Sequence, residues 1–391
     1  MTPIPRDYAA AAVRRLPLAP REWAERTFFR REMREAAGLI PPVPSGADAR
    51  LLIGPTNSAG QGYRWARSAE SHLTGVAARS VTLERPGGAD SFRFDTDVLL
   101  PLRLRPGRQV WRERVLETFT HVLFESGYSP ASMMTAVADQ AELDRFREAG
   151  VAVGLVFHGS DLRDPDLHAE SYAASPFRSD VVVATDVRER SAAARALVAD
   201  TDLPVFVSTP DLLDLAPQGT VLPVVVDVER FASAAGRPAL DRDRPVVLHA
   251  PSNPAIKGTG VIEPVLERLE SAGRIEYRRI SGVPNAQMPE FIADADVVVD
   301  QIRLGAVGVL AAEAMATGRL VVGHVHDRVR ERLGGDMPVV DATPETFADV
   351  IDSVLDAPDR YAPVAAASPA WAREHHDGRA AAAALTPFLV V

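Results

Sequence analysis

A chain of 391 residues, 46% apolar and 25% charged, is too long for one hydrophobic core and too apolar to be disordered, so two domains are expected. Its 53 acidic side chains outnumber 43 basic ones, net −10, which argues against nucleic acid as a partner. The absence of cysteine excludes disulfides, thiolate nucleophiles and Cys-bound zinc; with no membrane-length apolar run and no signal-peptide pattern, a cytoplasmic protein is expected.

Residues 1–45 are expected to form a helical segment. Helix formers run from Glu22 to Ala37 and stop at the breaker Ile40-Pro41-Pro42-Val43-Pro44. Arginines interleave with Trp23, Phe28 and Phe29 at helix-compatible spacing, so this face packs on its own domain or, as the alternative, touches an anionic membrane peripherally.

From residue 46 short apolar runs alternate with amphipathic stretches. Predicted strands are 51–54, 81–84, 121–125, 151–157, 181–184 and 204–207, with helices between them over 108–120, 139–149 and 188–199. The alternation restarts after 221–227 and the polar stretch 230–244. Predicted strands 245–248, 274–280, 297–300 and 320–325 are interleaved there with helices 260–272, 287–293, 309–316 and 344–355. Two successive α/β halves predict two Rossmann-like, doubly wound domains facing an interdomain cleft. Their boundaries are expected at 46–228 and 240–360, with helices in 361–391 packing back on the first domain.

Several motifs fail on inspection. A dinucleotide fingerprint through Gly60 and Gly62 meets Trp65 where its third glycine belongs, and Lys257 follows Ile256 rather than a Walker glycine. A nucleophile elbow at Ser58 finds Thr56 in place of glycine. The pairs Asp95/Asp97 and Asp294/Asp296, and the run His375-His376-Asp377, lack metal-ligand spacing, so no metal site is expected.

Four loops survive. Gly54–Gly62 joins a strand to a helix, and its glycines let the backbone approach a ligand. His158-Gly159-Ser160-Asp161 ends an apolar strand, where sites collect in open sheets. The loop 249–259 holds Lys257, the only lysine in the chain, beside Asn253, one of three asparagines. A lysine kept where arginine replaces every other one suits a compact ammonium anchoring a diphosphate. The segment 300–318 reads as strand end, glycine loop and an Ala/Leu/Met helix carrying Glu313, a carboxylate costly to bury without a partner.

Together these loops resemble the retaining family 4 glycosyltransferases of the two-Rossmann GT-B fold, over most of residues 50–380. The strongest part is Gly308-x4-Glu313-Ala314-Met315-Ala316-x-Gly318. In that family a Glu-x7-Glu element supplies one carboxylate for the donor sugar and a second for the nucleotide ribose. Glu313 matches the second; Gly305 stands in place of the first. Lys257-Gly258 matches the diphosphate lysine, with Ser252 where its partner arginine usually stands, and Asp227–Phe231 looks like the interdomain crossover.

The resemblance implies an acceptor domain followed by a donor domain, and metal-independent transfer of a sugar from a nucleoside diphosphate, with retention. The acceptor would be a small molecule, glycan or lipid, in carbohydrate or natural-product biosynthesis, and no cofactor beyond the donor is implied. His158, Lys257 and Glu313 are the implied catalytic set. Gly60, Gly62, Asn253, Lys257, Gly305, Gly308 and Glu313 are the implied donor-binding set. The departures at Gly305 and Ser252 keep open a non-catalytic auxiliary protein of this fold, and an epimerase or phosphorylase shares the cleft.

Overall fold

In the computed structural model, which describes residues 29–84, 94–133 and 136–390, the chain builds two wholly parallel sheets. The first contains β1 (Ala49–Gly54), β2 (Val76–Leu83), β3 (Val98–Leu100), β4 (His121–Glu125), β5 (Ala152–Phe157), β6 (Val205–Val207) and β7 (Thr220–Val221), ordered β3-β2-β1-β4-β5-β6-β7. The second contains β8 (Val246–His249), β9 (Glu276–Arg279), β10 (Val297–Val299), β11 (Leu320–Gly323) and β12 (Val339–Asp341), ordered β12-β11-β10-β8-β9.

The central strands of both sheets are buried on both faces, which is why they read as continuous apolar runs. Leu52, Val122, Phe124, Leu155 and Phe157 line one face of the first sheet, while Leu51, Ile53, Leu123, Val156 and Phe206 line the other. Val246, Leu248 and Val298 alternate in the same way with Val247, Val297 and Val299 in the second. Strand order reverses at β1/β4 and at β8/β10, so Gly54, Glu125, His249 and Asp300 come to the two switch points.

The two lobes are tied by helix Pro358–His376, which packs on Val309–Ala316 of the second lobe and hands over at Gly378 to helix Arg379–Leu389. That last helix lies on Gln61–His72 of the first lobe, and Leu385 and Phe388 fill the sheet face around Phe206. A Cβ at Gly378 would stand 2.4 Å from Ser68 Oγ, so the handover needs glycine both for contact and for its φ of +100°.

Two expectations change. The predicted strand 181–184 is the first turn of helix Val181–Ala199: Asp180 caps it by accepting the Val183 N–H at 2.9 Å, and Val181 and Val182 are exposed rather than in a sheet. β3, β7 and β12, each of two or three residues, were not among the predicted strands. Of the N-terminal segment, Trp23 and Phe28 lie outside the described residues; helix Arg30–Gly38 and a buried Phe29 are inside. No helix of the described residues is long and apolar enough to cross a membrane.

Candidate functional site

On the first lobe, the loop after β1 is organised by Glu125, whose side chain is fully buried. Its Oε2 accepts the N–H groups of Thr56 at 2.9 Å and Asn57 at 2.6 Å, and its Oε1 meets His158 Nε2 at 3.1 Å. Asn57, Ala59 and Gly60 take left-handed conformations, with φ of 45°, 51° and 75°. Gly60 faces the cleft under Phe94, whereas Gly62 is a packing glycine: a Cβ there would stand 3.0 Å from Glu125 Oε1.

His158 stacks on Trp65 at 5.3 Å between ring centres, and its own N–H donates to Asp161. Burial opposes its protonation, but the Glu125 hydrogen bond and the charges of Glu125 and Asp161 outweigh it and raise its pKa.

On the second lobe, Lys257 Nζ donates to Asp300 Oδ1 at 2.6 Å, and Asp300 Oδ2 accepts the Gly308 N–H at 3.0 Å. Gly308 precedes helix Val309–Ala316, whose first N–H groups lack intrahelical partners. One turn on, Glu313 is buried with its carboxyl pKa pushed up to about 7 by desolvation, against the nearby charges of Arg64 and Arg230 and a hydrogen bond from Asn285. The Gly305 φ is +68°; a Cβ there would stand 3.0 Å from His326 and 3.3 Å from Tyr172. Asn253 caps the short helix Pro254–Lys257 by accepting the Ile256 N–H and is exposed.

A cavity of about 320 Å³ opens between the lobes. Lys257, Glu313, Ser252, Ser281 and Asn285 give it polar groups; Ala250, Pro251, Ile280, Val283, Met288 and Leu310 give it an apolar wall; Ala59 and Phe94 close it from the first lobe. A smaller recess shares Ala59, Phe94 and Glu313 and adds Gly60, Gln61 and Arg64. Of the sequence-predicted residues, Lys257 and Glu313 line the main cavity and Gly60 the recess. Gly308 adjoins Lys257, while His158, Gly62, Asn253 and Gly305 lie outside both linings.

Four residues escaped the sequence reading: Glu125, Asp300, Arg64 and Asn285. The signal for the first two was available, since each is an acidic residue directly ending an apolar strand. Of the aspartates considered for metal binding, Asp97 accepts the Ser80 N–H, Asp296 accepts those of Leu240 and Val246, Asp294 pairs with Arg242 and Arg278, and Asp95 lines the smaller recess. Among the described residues, no three His, Asp or Glu side chains are grouped to hold a metal ion.

The lobes also touch through residues outside this lining. His168 Nε2 lies 3.1 Å from the Leu304 carbonyl, Tyr172 packs edge-on to His326 at 4.4 Å, and Arg328 and Arg332 both reach Asp214.

No family model matches the chain, and no curated protein matches its sequence. Solved structures do match its fold. Sucrose-phosphate synthase from Thermosynechococcus elongatus superposes with a TM-score of 0.56 at 12% identity, over 87% of this chain and 97% of that one. Anabaena HepE in complex with UDP-glucose gives 0.52 at 13% identity, over 88% and 99%. A glycosyltransferase from Rickettsia africae ESF-5 gives 0.52 at 11% identity, over 87% and 97%. The chain has the two-Rossmann, α/β fold of the GT-B glycosyltransferases.

Proposed function

We propose that the protein is a glycosyltransferase that binds a nucleoside diphosphate sugar between its lobes and passes the sugar to an acceptor held by the first lobe. The observation that carries this reading is the interlobe cavity with Lys257 and Glu313 on one wall and the Gly60 loop opposite. The apolar wall suits a base, and the buried Glu313 carboxylate suits ribose hydroxyls, which add donors to the one it has from Asn285. Lys257 and the amides opening helix Val309–Ala316 would take the charge of the departing diphosphate, so the reading needs no metal. The sugar would then lie toward Gly60 and the His158–Glu125 pair. Retention and membership of family 4 rest on the resemblance of residues 308–318, and a cytoplasmic setting on the absence of cysteine.

A second reading, a nucleotide-binding protein without transfer, is favoured by one feature. The place of the sugar-directed carboxylate is Gly305, and Tyr172 and His326 crowd the space a side chain would need.

A thermal-shift panel of UDP, GDP, ADP and dTDP tests both. One nucleotide at about 100 times its Kd should stabilise the fold by about 3 kcal/mol; no shift with any of them removes the donor site. UDP-glucose, seen in the HepE complex, is the first sugar nucleotide to test for hydrolysis, and binding without hydrolysis of any matching donor selects the second reading.

A further inference from the structure

Lys257, assigned above to the diphosphate, and the Gly308 N–H just before the helix amides are already engaged. The Lys257 ammonium and the Gly308 N–H both hold the same carboxylate, Asp300, at 2.6 and 3.0 Å. Side-chain exposure is 15% for Lys257 and 4% for Asp300, so water screens this charge poorly. A backbone N–H has one hydrogen to give, and a phosphate oxygen gains that of Gly308 only by displacing Asp300. Asp300 packs directly on the glycine: a Cβ at Gly308 would stand 2.7 Å from Asp300 Oδ2 and 3.0 Å from Lys257 Nζ. The Lys257 charge is therefore already neutralised, and an incoming phosphate meets no net positive charge and the Asp300 carboxylate beside it.

We propose that Asp300 is an internal anion occupying the phosphate seat, and that it sets the selectivity of the cleft among phosphorylated nucleotides. This rests on the nucleotide-binding reading above. Repulsion grows with ligand charge, so Asp300 disfavours a free nucleoside diphosphate, whose terminal phosphate is a dianion, more than the sugar ester, which carries one negative charge fewer. In a transferase the former is the product and the latter the donor. Asp300 then loosens the spent nucleotide and limits its competition with fresh donor.

The test is calorimetric titration of wild type and Asp300→Asn with the nucleoside, the diphosphate and the diphosphate sugar of whichever base the panel selects, beginning with uridine, UDP and UDP-glucose. The expected result is nucleoside affinity unchanged in Asp300→Asn, the sugar ester bound about tenfold more tightly, and the diphosphate gaining more than the ester. A second variant, Lys257→Met with Asp300→Asn, removes both charges; its diphosphate affinity should fall below that of Asp300→Asn alone, and melting curves of both variants check the fold. A wild type that binds UDP, with Asp300→Asn binding it equally or more weakly, overturns the inference and leaves the nucleotide site standing. A shift identical for nucleoside, diphosphate and ester also overturns it. If neither protein binds any nucleotide of the panel, the functional reading falls and takes this one with it.

Discussion

Glu313 concentrates the chemistry of the cleft into one titration. Its folded pKa of about 7 lies above the ordinary 4.5, so burial favours the protonated form. The stability it contributes is fully present below pH 4.5 and is lost as pH rises through 7. By linkage the loss approaches about 3 kcal/mol at alkaline pH. Glu313→Gln, which keeps shape and loses charge, should match wild type in chemical denaturation at pH 4 and exceed it by about that amount at pH 8. Equal stability at both values would mean that the carboxylate is solvated. Binding should run the other way, because ribose hydroxyls donate to the ionised form. Affinity for a sugar nucleotide, whose phosphates do not titrate in this range, should rise between pH 6 and 8 in wild type and stay flat in Glu313→Gln.

At the scale of elements, the strands were legible because two-sided burial writes them as unbroken apolar runs, as in Val246–His249 and Ala152–Phe157. Val181–Ala184 misled for the same reason: a β-branched run looks like a strand, and only the Asp180 cap and the absence of a partner strand make it helix. Lys257 and Glu313 were legible by rarity and by an Ala-rich helical context. Glu125 was not, because its meaning comes from three elements that meet only in the folded sheet: its own strand, the loop after β1 and the loop after β5. Replacing it tests that junction. Glu125→Ala leaves the buried Asn57 N–H and the half-buried Thr56 N–H and His158 Nε2 without their partner and should cost about 3 kcal/mol in urea denaturation. Glu125→Gln should cost less and should drop His158 from above 6.5 to below it, since burial is then offset by the Asp161 charge alone; an NMR titration of the imidazole reads this directly. A His158 that still titrates above 6.5 would transfer its shift to Asp161.

At the scale of the molecule, the cavity lies between two separately built sheets, and three connections hold them: the crossover before Val228, helix Pro358–His376, and the contacts at His168, Tyr172 and Asp214. The crossover is itself gripped from both sides. Gln61 exchanges two hydrogen bonds with the backbone of Val225, Trp65 donates to the Pro223 carbonyl, and His376 bonds Val224 through Nδ1. The face of the first sheet beneath this grip is closed by Phe388, which packs edge-on to His121 and Phe206. Phe388→Ala should therefore destabilise the first lobe by about 3–5 kcal/mol although it lies far along the chain from β1. Hydrogen exchange should show the loss in β1, β4 and β5 and leave β8 and β10 protected; uniform deprotection would mean that the lobes unfold as one.

The return of helix Arg379–Leu389 also has a consequence for birth order. A ribosome delivers the first sheet complete by residue 221, yet the face that receives Leu385 and Phe388 stays open until 167 further residues have been made. The second sheet, finished at Asp341, waits far less: Phe347, Ala365 and Ala372, soon after it in the chain, complete its two faces. The half made first is thus the half sealed last, and an interrupted nascent chain carries a nearly finished second lobe on a first lobe with one apolar side bare.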